Sequence, residues 1–108
     1  MTGYKKYNNK KTYVDGIKFD SKGEANRYKE LKLLEKAGEI KDLELQPKFT
    51  LIPKNKGNRA VTYTADFKYI ENGKTIIEDY KGYETKEFKL KKKMFEYFYE
   101  NLELRIVK

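Results

Sequence analysis

Two aspartates and a lysine, Asp66, Asp79 and Lys81, are the residues of this sequence best placed to do chemistry together. They lie on two runs rich in β-branched and aromatic residues, AVTYTADFKYI and TIIEDYKG, separated by ENGK. Asn72-Gly73 between such runs is the strongest short-range hairpin signal, because a type I′ turn needs positive φ at both central positions. With that pair as the turn, Glu71 faces Lys74, and the same register sets Asp66 opposite Asp79. Lys81 is two residues beyond Asp79 and points to the same side, since side chains alternate along a strand. Glu78 is one residue off, points to the opposite face and is the poorer ligand candidate. Opposed Cβ atoms lie about 5 Å apart. Two like charges at that separation, in an effective dielectric of about 20, repel by on the order of 3 kcal/mol. Lys81 offsets part of this, and a divalent cation would offset more. The competing reading is a solvated Asp-Asp-Lys cluster on an exposed hairpin; against it, Asp is depleted in strands.

The neighbouring elements must position these groups. Thr12 to Phe19 reads as a small hairpin around Asp15-Gly16. A first helix is expected over Lys22–Ala37. Ser21 and Glu24 form an S-x-x-E capping box, and Gly38 is suited to close the helix. Tyr28, Leu31 and Leu34 mark its buried stripe, and Glu24 lies along it. Glu24 therefore either caps the helix or delivers a third carboxylate to the sheet. Short strands follow over Ile40–Leu45 and Phe49–Ile52, broken by Gln46-Pro47. Then come a basic loop over Pro53–Arg59 and a long hairpin with arms Ala60–Ile70 and Thr75–Lys81. A second helix over Glu84–Asn101 turns Phe88, Met94, Phe95, Phe98, Tyr99 and Leu102 inward. Lys86, Lys89 and Lys93 form a basic stripe on its other side, either solvated or contacting DNA. Lys91 falls within the apolar arc, where it snorkels or reaches toward the carboxylates. A closing strand spans Leu102–Val107. The expected fold is α/β: a mixed β-sheet flanked by two helices, in the order α-β-β-β-α-β after a small N-terminal hairpin.

Composition narrows the chemistry. The 108 residues form one domain over residues 12–108, preceded by a basic arm at 1–11 carrying Lys5, Lys6, Lys10 and Lys11 among tyrosines and asparagines. That arm either tracks a phosphate backbone or is an ordinary terminus. The net charge is +8, which suggests an anionic partner, most simply DNA. Cys and His are both absent. Zinc-finger, Ser-His-Asp and papain-like chemistry are thereby excluded, and any metal must be held by oxygen, which selects hard cations such as Mg²⁺, Mn²⁺ or Ca²⁺. No apolar run is long enough to span a membrane, so a cytoplasmic protein is expected.

In this arrangement the chain resembles the PD-(D/E)XK nuclease superfamily. Asp66 in TADF matches the first motif aspartate, Asp79-Tyr80-Lys81 matches (D/E)-x-K, and Glu24 matches the helix-borne glutamate of many members. The proline that usually precedes the first aspartate is missing, which removes no ligand. The stretches KFDSKGEANRY, LELQPKF, EDYKG and FKLKKKMFE look more closely like a small phage and prophage family of Holliday-junction-resolvase-like endonucleases. The resemblance covers nearly everything from Thr12 onward. It implies a restriction-endonuclease-like core and Mg²⁺- or Mn²⁺-dependent hydrolysis of phosphodiester bonds in duplex or branched DNA, leaving a 5′-phosphate. It makes Asp66, Asp79 and Glu24 the metal ligands and Lys81 the catalytic ammonium. Gln46 and Lys91 become substrate contacts beside the lysines of the arm and of the second helix. A bacterial-cytoplasmic phage or prophage protein is implied, and cutting two strands of a junction favours a two-fold homodimer, with Tyr97 and Tyr99 as exposed aromatics to support it. Two other readings remain: a non-catalytic DNA-binding module, and a protein-interaction domain on the same fold.

Overall fold

A computed structural model describes residues 11–108. Three tight turns organise its ribbons. Asn72-Gly73 (φ 52° and 79°) and Asp15-Gly16 (54° and 76°) have positive φ at both central positions, the signature of type I′. Lys56-Gly57 repeats the pattern (49° and 79°), with Asn55 and Asn58 exchanging backbone hydrogen bonds. The expected loop at Pro53–Arg59 is therefore a tight reversal.

The chain runs β1 (Thr12–Val14), β2 (Ile17–Phe19), α1 (Lys22–Lys36), β3 (Lys41–Leu45), β4 (Lys48–Ile52), β5 (Val61–Thr64), β6 (Phe67–Glu71), β7 (Lys74–Tyr80), α2 (Lys86–Phe98) and β8 (Glu103–Val107). The main sheet has the order β3-β6-β7-β8. Its β3-β6 and β6-β7 pairs are antiparallel, and β7-β8 is parallel, joined through α2. Counted on this sheet alone the order is α-β-β-β-α-β, the expected mixed α/β architecture.

The expected arm Ala60–Ile70 is not a single strand. It breaks at Ala65-Asp66 into β5, which pairs with β4, and β6, which joins the main sheet. The opposite strand breaks at the same level. Gln46 takes a left-handed φ of 51°, and Pro47 has no N–H to give to a ladder. Register is nevertheless continuous across the bend, from Leu45↔Phe67 to Lys48↔Thr64, bridged by Gln46 N–H to Asp66 O at 2.9 Å and Ala65 N–H to Pro47 O at 3.0 Å. The two ribbons form one elbowed hairpin, with Asp66 at the elbow.

Both helices end where their capping residues dictate. Ser21 Oγ accepts from Glu24 N–H at 3.1 Å. At the other end Glu39 N–H reaches Leu34 O and Gly38 N–H reaches Glu35 O, with Gly38 at φ 82°, a Schellman closure. α2 starts two residues later than expected because Thr85 is its N-cap, its hydroxyl accepting from Phe88 N–H. It also ends earlier, with Tyr99 as C-cap.

β7 is the centre of the molecule, and its residues Ile76 to Asp79 are all buried. α1 covers one face, packing Ala25, Tyr28 and Leu31 on Phe67, Tyr69 and Ile76. α2 and the β4-β5 ribbon cover the other, packing Phe88 and Phe95 on Leu51, Tyr63, Ala65 and Ile77. A strand buried on both faces needs both layers. Phe98, expected inside, is 51% exposed, whereas Tyr99 of the same expected arc packs against Phe49 and Phe95, its hydroxyl donating to Thr50 O at 2.8 Å. Tyr97 is exposed as expected; Tyr99 is not.

Candidate active site

The register Phe67↔Glu78 to Glu71↔Lys74 carries the hairpin to the point where Asp66 stands beside Asp79. The last ladder contacts there are unusual. Asp66 N–H donates to Glu78 O at 3.2 Å, and its own side chain, Oδ2, accepts from Tyr80 N–H at 2.7 Å. The elbow frees the Asp66 carboxyl from the ladder so that it caps the end of β7. Asp79 is 2% exposed, and its Oδ2 accepts a 2.5 Å hydrogen bond from Tyr63 OH. Lys81 Nζ is 3.8 Å from that same oxygen and 4.7 Å above the centre of the Phe88 ring. The ammonium is thus held by a carboxylate on one side and a π face on the other.

Glu24 completes the group from α1. It is 8% exposed, although it stands in the first helical turn. Its backbone N–H serves the cap while its carboxyl turns to Asp66, within hydrogen-bonding reach. Burial first, then the charge of Asp66 and of Asp20, pushes the Glu24 carboxyl up to about 7. Asp66 is likewise raised, by burial and by the hydrogen bond and charge of Asp79. Tyr80 N–H and Lys81 work against that rise. The Tyr63 hydroxyl is held far above its ordinary value by burial and by Asp79, so it remains a donor. The result is a row of three carboxyls, Glu24–Asp66–Asp79, in which burial and neighbouring negative charge make Glu24 and Asp66 costly to ionise.

Glu24 and Asp66 line a cleft of about 970 Å³ together with Lys11, Tyr13, Asp20, Lys22, Tyr80 and Lys81, and Asp79 lies buried behind Asp66. A side chamber of about 130 Å³ opens from Glu24 and Asp66 toward Gln46. Gln46 is therefore a neighbour of Glu24 and Asp66. Lys11 reaches the cleft and pairs with Asp20 at 3.0 Å. Lys5, Lys6 and Lys10 lie outside the described residues. Lys86, Lys89 and Lys93 are exposed on α2, as expected of a basic stripe. Lys91 does not reach the carboxylates: it pairs with Glu87 one turn earlier at 3.3 Å, the favourable Glu-to-Lys i,i+4 order on a helix.

Among the described residues, no three Asp, Glu, Cys or His side chains stand as a ready metal cage. As donors the carboxyls fit a hard divalent cation, being anionic oxygens, buried, and mutually repulsive once ionised.

A family model matches residues 4–108. The chain belongs to the DUF1064 family. Its description is a protein of unknown function. No curated protein and no solved structure matches the chain.

Several groups around this DUF1064 site were not found by reading the sequence. Tyr63 comes from β5, outside the main sheet, and only the elbow brings it over Asp79. Nothing in the local pattern around Tyr63 names Asp79 as its partner. Asp20 carries no pattern beyond its place before the helix cap. Glu78 was expected to face away from the carboxylates, and it lies fully buried on the α1 side, hydrogen-bonded to Arg27 and Tyr69.

Proposed function

We propose that this DUF1064 chain is a divalent-cation-dependent DNA endonuclease, a phage or prophage protein acting on duplex or branched DNA in the bacterial cytoplasm. The observation that carries the reading is the meeting of Asp66 and Asp79 at a buried strand end, with Glu24 beside one and Lys81 beside the other. A set of carboxyls this costly to ionise is explained by a cation that binds them. Asp66 and Asp79 would hold Mg²⁺ or Mn²⁺, with Glu24 extending the site; the PD-(D/E)XK resemblance supports the same assignment. When bound, such an ion lowers the pKa of water and neutralises charge on the scissile phosphate. The chain's own residues do the rest. Tyr63 and Tyr80 N–H fix the two aspartates by hydrogen bonds. Lys81, aimed by Asp79 and Phe88, stabilises the charge that builds on phosphate oxygens in the transition state. No histidine is available, so the base is solvent or another group of this cluster.

The deciding experiment is cleavage of labelled duplex and four-way-junction DNA with Mn²⁺, with Mg²⁺ and with chelator, for the wild-type chain and for Asp66→Ala and Asp79→Ala. Cation-dependent nicking by the wild type alone, with both variants folded, is the expected result. Equal cleavage by either variant rejects the assignment, and salt-sensitive DNA binding without any cleavage would instead favour a binding module.

A further inference from the structure

The Arg27–Glu78 pair takes no part in the chemistry above, yet Glu78, at 0% exposure, is deeper than Asp79 or Glu24. Arg27 grips it with both arms of the guanidinium, Nε to Oε2 at 2.5 Å and Nη2 to Oε1 at 2.9 Å. Tyr69 OH adds a 2.6 Å bond to Oε1, and Arg27 Nη1 is braced by Glu30 at 3.0 Å. A buried ion pair is often no more stabilising than a well-packed apolar pair in its place. What a bidentate pair does supply is fixed distance and fixed rotation.

The positions of the pair show what is being fixed. Arg27 follows Glu24 by one helical turn on α1, and Glu78 directly precedes Asp79 on β7. A second tie lies on the other side of both carboxylates. The Tyr80 ring rests against Gly23, where any Cβ would overlap it. Residues flanking Glu24 are thus bound to residues flanking Asp79. Strand alternation makes this possible: Asp79 and Lys81 turn to the site, while Glu78 and Tyr80 turn to the helix.

We propose that the Arg27–Glu78 pair and the Gly23–Tyr80 contact form a clamp that holds Glu24 against Asp66, at the end of the strand that carries Asp79. Arg27, Glu78 and Tyr80 are then positioning residues of the site. The clamp's role in catalysis rests on the nuclease reading; its role in holding Glu24 does not.

The test is a double-mutant cycle read by thermal unfolding at pH 8 without divalent cation, with Mn²⁺-dependent cleavage measured in parallel. Arg27→Met/Glu78→Gln removes the grip without leaving a buried charge unpaired. Glu24→Gln removes a carboxylate pressed against Asp66. With the clamp intact, Glu24→Gln is expected to raise Tm by about 4 °C or more. Without the clamp the gain should fall to less than half, because Glu24 is free to move away. The folded clamp-free variant should also lose on the order of a hundredfold in kcat. Equal gains in both backgrounds, or undiminished cleavage by the folded clamp-free variant, would overturn the clamp. If that variant does not fold, Tyr80→Leu, which removes the second tie at a half-buried position, carries the same cycle and the same two outcomes. A wild type that cuts no DNA under any cation would sink the nuclease reading, while the cycle would still decide the clamp.

Discussion

Asp66 and Asp79 are neighbours that repel, and each residue around them either relieves that repulsion or enforces the proximity. Tyr63, Tyr80 N–H and Lys81 relieve it; burial and Glu24 make it worse. A pH dependence follows. Folding lifts Glu24 from 4.5 to about 7, so between those values the folded chain holds a proton that the unfolded chain has released. Stability therefore falls as pH rises through that window and levels off above it, by on the order of 2 kcal/mol for this group. Tm in cation-free buffer should decline from pH 4.5 to 7.5, and Glu24→Gln should flatten the decline. If the carboxyls hold a cation as proposed, Mn²⁺ added at pH 8 should raise Tm, because a ligand of the folded site alone stabilises the fold. For Lys81→Ala, the proposed nuclease activity predicts that Mn²⁺ affinity measured by calorimetry is retained while kcat drops by about a hundredfold or more, since that proposal assigns the ammonium to the phosphate and not to the cation.

The elements place these groups through β7, where alternate residues serve opposite layers. Gly23 is the tightest point between that strand and α1. Gly23→Ala should gain up to about 1 kcal/mol in helix propensity and lose about 1–3 kcal/mol to overpacking against Tyr80. The net effect expected in urea unfolding is a lower midpoint, together with weaker Mn²⁺ binding as Glu24 is displaced. Local features of this kind were largely legible beforehand. Asn72-Gly73 specified its turn, and with it the register that opposes the aspartates; Ser21 and Gly38 bounded α1. The break at Ala65-Asp66 was not legible, because the residues that impose it, Gln46 and Pro47, stand on the partner strand some twenty positions away.

At the scale of the whole molecule, a net charge of +8 is unevenly answered. Lys91 and Lys92 on α2 are paired with Glu87 and Glu96. Lys86, Lys89 and Lys93 are exposed and form no ion pair among the described residues. A DNA-handling protein would use that stripe, so replacing all three by Ala should weaken DNA binding. The salt dependence should flatten as well, by up to about 0.9 in log–log slope for each phosphate the protein ceases to neutralise. Tm should be unchanged, since those side chains are exposed and unpaired among the described residues. A variant that binds DNA with the wild-type salt slope would show that the stripe is only a solvated face. No helix of the described chain is long and apolar enough to cross a membrane.

The residue order alone determined the donor chemistry and the hairpin. A chain without His or Cys offers only oxygen ligands, and an Asn-Gly turn dictates which strand residues stand opposite one another. These are local properties, set by side-chain identity and by φ preferences within a few residues. Tertiary structure decided whether Glu24 merely caps a helix or joins the carboxyls, that Tyr63 secures Asp79, that Lys91 is spent on Glu87, and that Arg27 and Glu78 tie α1 to β7. Each of those choices depends on the packing of elements distant in sequence or on competition between nearby partners, which no periodicity along one segment records.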